Sequence, residues 1–247
     1  MIISIEQNNI IRRFNLEKGY DISIPLHRHG PRAWYVPEAR IAPVLNQHFT
    51  GSTRLGGKVN FNDVAFNPHG HGTHTETVGH IASESFPITS ELSSFHHIAA
   101  LFTITPRVIQ GDHVIQLDQV QEKWTTPGME AVIIRTLPNN LDKTHRNYSN
   151  TNFPYMDAAA AEWLASVGVR HLLIDLPSID REEDGGALKA HHAFWSYPHQ
   201  TRRGCTISEM VYIDDEIQDG EYLMMMAPAA FINDAAPSRI VLYAPID

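Results

Sequence analysis

One cysteine, Cys205, stands in a chain of 247 residues, and that scarcity removes whole classes of chemistry. An intrachain disulfide and a cysteine-built metal cage both need further thiols. Cys205 as a nucleophile is a lesser expectation than Cys205 as a small packed residue. Basic residues are also in deficit: 19 Lys and Arg against 28 Asp and Glu leave a formal charge of -9. No Lys/Arg block interrupts that balance, so no nucleic-acid partner is expected. No apolar run approaches the roughly 18 residues of a membrane span, so no membrane partner is expected either. Met1–Asn9 has no basic region leading into a long apolar stretch, as a signal peptide would, and the expected location is cytoplasmic. A Gly-x-Ser-x-Gly elbow is missing, and so are P-loop and Gly-x-Gly-x-x-Gly patterns at strand-to-helix steps. Serine-hydrolase and nucleotide-cofactor chemistry are therefore not indicated.

What the chain concentrates is histidine. The stretch His69-Gly-His-Gly-Thr-His-Thr-Glu-Thr-Val-Gly-His80 packs four imidazoles and a carboxylate between glycines, directly after Pro68. Neutral imidazole and carboxylate are the usual ligands of borderline-to-hard divalent metals, and glycines let a backbone fold so that side chains converge. No pair here flanks Glu as the helical His-Glu-x-x-His motif requires, so the spacing reads as a loop-borne metal site. The alternative is a solvated, His-rich turn. Distant residues usually complete such a site, and two places offer them. One is His191-His192. The other is Glu209, inside the apolar run 207–213, where an unpaired carboxylate would be expensive to bury.

With 43% hydrophobic and 19% charged residues, no internal repeat and no linker, the composition suits one domain. The first 60 residues, rich in Pro, Gly and charge, read as loops and short edge strands. His97–Thr105 and Glu130–Thr136 read as strands, being apolar, β-branched and bounded by turn formers. Asp157 to Val167 reads as a helix: Asp157 suits the N-cap, Ala160, Trp163, Leu164 and Val167 share a stripe, and Gly168 suits a left-handed terminus. The strand Val169–Asp175 follows at once, an α/β signature. Residues 207–213, 222–227 and 239–243 read as later strands, separated by an acidic turn at 214–220. The Met224–Met226 triplet reads as core filling.

At these residues the chain resembles the metal-dependent cyclase-like hydrolases that include bacterial kynurenine formamidase and isatin hydrolase. Their motif, His-x-Gly-Thr-His-x-Asp-x-Pro-x-His, is matched in framework by Gly72-Thr73-His74, Glu76 and His80. Asp21–Leu26 resembles the family's opening strand, residues 161–180 its helix-strand unit, and Asp234–Arg239 its closing segment. Trp34 sits where members place a substrate-facing tryptophan. Three departures stand out: Gly70 occupies the first-His position, Glu76 replaces Asp, and Val78 replaces Pro. The stretch from His191 to Glu209 is also longer than in the formamidases.

The resemblance implies a single α/β domain of the swivelling β/β/α type with a mixed sheet. It implies metal ligation by His74, Glu76, His191 and Glu209, with His191 preferred over His192 as the first of its pair. For the first ligand it points to His69 ahead of His71, through a bulge at Gly70. His80 falls on the catalytic histidine. The implied activity is hydrolysis of a small amide-like or cyclic substrate by metal-activated water, with His80 as general acid and base. Zinc or manganese suits these donors. A homodimer or larger homo-oligomer is implied as well. The rivals are a non-catalytic metal- or ligand-binding member and a metal-dependent cyclase or lyase.

Overall fold

The computed structural model describes residues 1–7 and 9–246. Its centre is one mixed sheet of nine strands: β1 (Ile2–Gln7), β2 (Ile10–Asp21), β3 (His74–Glu76), β4 (His96–Ile104), β5 (Ala131–Thr136), β6 (His171–Ile174), β7 (Thr206–Glu209), β8 (Gly220–Pro228) and β9 (Ala235–Ile246). The order is β1-β2-β9-β8-β4-β5-β6-β7-β3, and β3 pairs again with β9. That second pairing closes seven of the strands into a barrel-like ring, leaving β1 and β2 as an outer ribbon. Strands β4, β5, β6 and β7 run parallel in register, while the remaining pairings are antiparallel. The sheet is mixed, as expected.

The helices follow from local chemistry. α1 (Leu117–Lys123) is followed by α2 (Ala158–Ser166), whose first turn is capped by Asp157: its carboxylate accepts from the Ala159 N–H at 3.4 Å. Ala160 and Leu164 are fully buried, Trp163 and Val167 pack on the same core, and Gly168 takes φ +95°. α3 (Lys189–Trp195) starts under two aspartates. Asp184 accepts from the N–H groups of Gly186, Ala187 and Leu188, and Asp180 from those of Ala190 and His191. Met224 and Met226 are buried in the core, and Cys205 is buried with them. Among the described residues no helix is long and apolar enough to cross a membrane.

Four sequence expectations need correction. The N-terminal region is not loops and short edges alone, because Ile2–Gln7 and Ile10–Asp21 pair as a long antiparallel ribbon. β1 alternates in burial and β2 does not, and only Phe14 is fully buried, so one thin apolar face suffices and charge dominates the sequence. The family's opening strand at 21–26 is absent as such: β2 ends at Asp21, and Ser23 makes only an isolated bridge to Val211. The strand expected over 207–213 stops at Glu209, where Met210 turns the chain at φ +53° and donates its N–H to Leu176 instead. Finally, three residues of the histidine cluster, His74–Glu76, are strand rather than loop, with consequences for the site.

Candidate metal centre

β3 is three residues long and lies between β7 and β9, with Glu209 opposite His74 and Ala235 opposite Glu76. Side chains alternate along a strand, so His74 and Glu76 share one face while Thr75 takes the other. Thr75 is indeed spent on that other face, in a 2.7 Å hydrogen bond with Ser208. Register places Glu209 on the face of His74, with Nε2 to Oε2 at 3.4 Å. The correction from loop to strand therefore explains the convergence: two rungs of one ladder supply an imidazole and two carboxylates.

The loop before β3 positions His69. The Asn67 side-chain oxygen accepts from the N–H groups of His69 and Gly70, at 2.9 and 3.0 Å, forming an Asx turn. His71 is consumed as a staple: Nδ1 accepts from the Asn67 N–H at 2.9 Å and Nε2 donates to the Pro37 carbonyl at 2.8 Å. Gly70 cannot carry a side chain there, since a Cβ would stand 2.9 Å from Val36 Cγ2. His69 alone of this trio reaches the carboxylates, 2.8 Å from Glu76 Oε2 and 2.7 Å from Asp234 Oδ2.

The third approach comes from α3. His191 donates from Nδ1 to Asp180 Oδ2 at 2.6 Å and faces Glu76 Oε1 with Nε2 at 3.0 Å. The segment before it also steadies Glu209, whose Oε1 accepts the Ile179 N–H at 3.0 Å. His192 turns away to the Tyr197 carbonyl. His80, on a short 3₁₀ turn after β3, lies 3.9 Å from both Glu76 Oε2 and Asp234 Oδ2, its ring over that of His69. Trp34 packs edge-on against Phe153, and its neighbour Ala33 donates to the Gly70 carbonyl. The tryptophan loop is thus tied to the histidine loop.

Charge explains the present state of these groups. Burial disfavours a proton on His69, yet its bonds with Asp234 and Glu76 push its pKa up to about 10. Burial opposes His191 in the same way, and Asp180 and Glu76 raise it to about 10. Both are imidazolium cations at neutral pH. Glu76 is held well below the ordinary carboxylate range: burial resists, but the charge of His80 and the bonds of His191 and His69 prevail. Glu209 is raised by burial and by the Glu76 charge. For His80, Glu76 favours the proton, but burial and the charges of His69 and His191 bring it below its ordinary value.

Do these residues suit a divalent cation? His74 is fully buried and donates Nδ1–H to the Gly72 carbonyl, while its Nε2 has no hydrogen-bond partner. An orphaned buried nitrogen is costly, and a cation is the group that would satisfy it beside Glu209. Three imidazoles share this pattern. Each has one nitrogen held by an outer acceptor (Gly72, Asp180 or Asp234) and the other aimed at Glu76 or Glu209. Such outer acceptors fix tautomer and ring orientation in metal sites. The donor set fits.

Sequence reading named His69, His74, Glu76, His80, His191 and Glu209, and the structure brings all six together. It passed over Asp180 and Asp234, which touch the cluster through histidines. Asp180 and Asp234 lie in segments that resemble the family's in sequence, but nothing in their local pattern marks them.

A family model described as "Putative cyclase" matches residues 20–181, more than half of the chain. Among curated relatives, the kynurenine formamidase of Bacillus cytotoxicus is 26% identical over 189 residues, spanning 75% of this chain and 81% of its own. Among solved structures, a potential metal-dependent hydrolase with cyclase activity is 21% identical. It superposes with a TM-score of 0.66 over 92% of this chain and 97% of its own. Isatin hydrolase A from Labrenzia aggregata, solved with benzyl benzoate bound, is 13% identical with a TM-score of 0.66 over 93% and 94%. At such identities these two structures speak to the shared fold.

Proposed function

The chain belongs to the Cyclase family, and from that premise we propose that it is a metal-dependent hydrolase of a small amide-like or cyclic substrate: a formamide, a lactam or a carbamate. The observation that carries the reading is the set of three imidazoles, each held from outside through one ring nitrogen and aimed with the other at Glu76 or Glu209. His69, His74, Glu76, His191 and Glu209 would hold the ion. Bound there, a divalent cation such as zinc or manganese makes a coordinated water acidic near neutral pH and polarises a carbonyl oxygen.

The protein's own groups supply the rest. Glu76 presents Oε1 to His191 and Oε2 to His69, so both of its oxygens face imidazoles that would hold an ion with it. His80 is only partly exposed, bonded to no carboxylate and biased towards the neutral form, which suits it to take a proton from water and return it to a leaving nitrogen. Trp34, on the loop pinned to Gly70, is the proposed substrate-facing residue.

Cytoplasmic location and assembly as a homodimer or larger are further parts of the proposal. Support for assembly comes from the segment 40–65, closed by the paired strands Arg40–Pro43 and Asn62–Ala65, where Ile41, Leu45, Phe49, Leu55, Phe61 and Val64 are exposed.

The test combines metal analysis with a hydrolysis screen over N-formyl aromatic amines, isatin-like lactams and simple carbamates. Turnover in at least one class, lost on chelation and restored by zinc or manganese, is expected. A full metal complement without turnover on any class would favour a binding protein. Product formed by elimination or ring closure would favour a lyase or cyclase.

A further inference from the structure

The motif that this sequence resembles puts its first histidine at position 70, where this chain has glycine and where a Cβ would stand 2.9 Å from Val36 Cγ2. His69 reaches the cluster instead, and it does so in a different orientation from the others. His74 and His191 point Nε2 at the carboxylates, whereas His69 points Nδ1 at Glu76 Oε2. An imidazole used through Nδ1 needs an acceptor for Nε2–H, and Asp234 Oδ2 provides one at 2.7 Å.

Asp234 reaches the site through backbone ties. It immediately precedes β9, and its carbonyl accepts the Thr77 N–H at 3.0 Å, clamping it to the turn that carries His80. Gly79 makes this approach feasible: a Cβ at position 79 would stand 2.9 Å from the Asp234 Cβ. Position 69, the space at 79 and the carboxylate at 234 thus form one arrangement drawn from three segments.

We propose that Asp234 is a positioning residue, one that fixes His69 with Nε2 protonated and Nδ1 free, and so lets position 69 supply the imidazole that position 70 cannot. The inference rests on the metal-binding reading above. It adds an outer acceptor on His69 matching Asp180 on His191, and it assigns Nδ1 as the ligating atom.

The test is titration of Mn²⁺ or Zn²⁺ against a competing chelator, using wild type, Asp234→Ala, Asp234→Asn, His69→Ala and the double variant Asp234→Ala/His69→Ala. Outer-shell acceptors are commonly worth about 10–100-fold in affinity, and Asp234→Ala is expected to lose that much. The amide of Asp234→Asn retains an acceptor oxygen and should lose less. The double variant should bind no worse than His69→Ala alone, because Asp234 acts through His69. Additive losses would instead make Asp234 a ligand in its own right, and unchanged affinity in Asp234→Ala would leave it no role. Either result overturns the proposal. Should Asp234→Ala fail to fold, ¹⁵N spectra of zinc-loaded wild type decide: His69 is expected to bind through Nδ1, and Nε2 ligation would refute the assignment. Wild type that binds neither metal would remove the functional reading itself, a result distinct from failure of the variants.

Discussion

At the carboxyl end of the parallel strands, His69, His74 and His191 meet Glu76, Glu209, Asp180 and Asp234. At the opposite end, where β4 and β6 begin, His97 and His171 lean on each other with ring centroids 4.0 Å apart. His74, Glu76, Asp180, His191 and Glu209 are buried, as are His97 and His171, while His69 and Asp234 are partly exposed. His171 bonds only Thr206 through Nδ1, His97 bonds the Ser94 carbonyl, and His171 Nε2 and His97 Nδ1 have no hydrogen-bond partner. The nearest carboxylate contact is Glu130, half-exposed and 3.6 Å from His97. Burial, with His97, Arg170 and Arg202 adding their charge, drives His171 down to about 2, and burial lowers His97 too. At the same 1% exposure, His191 is thus raised to about 10 and His171 lowered to about 2. Carboxylates decide which, and only the first group has the negative charge to attract a cation.

The hardest way to break that contrast is to remove its carboxylate. Glu76 faces both His69 and His191, so Glu76→Ala is expected to leave the purified protein without bound metal, as is His74→Ala. His171→Ala should keep its full complement. Metal analysis of the three variants checks this, and retention in both Glu76→Ala and His74→Ala would dismiss the site.

Within the first cluster, His80 is expected to separate chemistry from binding. It makes no hydrogen bond to Glu76 or Asp234 and is partly exposed. His80→Ala should keep metal and melting temperature while losing about 10²–10⁴ in kcat, the usual contribution of a positioned proton-transfer group. Metal lost in step with activity would make His80 a ligand. Survival of both would make it structural.

The sequence exposed one part of this cluster and concealed another for physical reasons. His74 and Glu76 were legible because ligand types two residues apart share a strand face, although the glycines around them suggested a loop. The β-branched Thr73, Thr75 and Thr77 were the overlooked strand signal. Glu209 was legible because a carboxylate in an apolar run requires a partner. Asp234 and Asp180 were not, since each acts on a histidine, 165 residues away in the first case. The helix-strand unit at 158–174 was plain because cap, stripe and glycine terminus agreed. The N-terminal ribbon was hidden because strands held to the edge of β9 by backbone hydrogen bonds need little apolar sequence.

Metal binding should itself report the charge state of the first cluster. His69 and His191, both raised to about 10, hold protons that a cation must displace. Below that range, affinity should rise with pH by up to about tenfold per unit for each proton released. Calorimetry of Mn²⁺ binding in buffers of different ionisation enthalpy counts those protons directly. About two are expected near pH 7, one from each imidazolium. Binding with no proton release would mean that these imidazoles are already neutral, erasing the difference between the two ends.

The smallest expected effect lies at the other end and concerns stability. An unfolded His171 would titrate near its ordinary 6.5, while the folded ring is depressed to about 2. As pH falls below 6.5, the unfolded chain takes up a proton that the native state refuses, so the native state loses ground. The contribution is fully present above 6.5 and drains away towards pH 2, by at most about 1.4 kcal/mol per pH unit. Carboxylates elsewhere also respond to acid, so the measurement is a difference: urea unfolding of wild type and His171→Gln at pH 7 and pH 5. The variant, lacking the refusing group, should lose up to about 2 kcal/mol less than wild type over that interval. Parallel losses would show that the buried ring accepts its proton after all, and that burial without a carboxylate does not set its state.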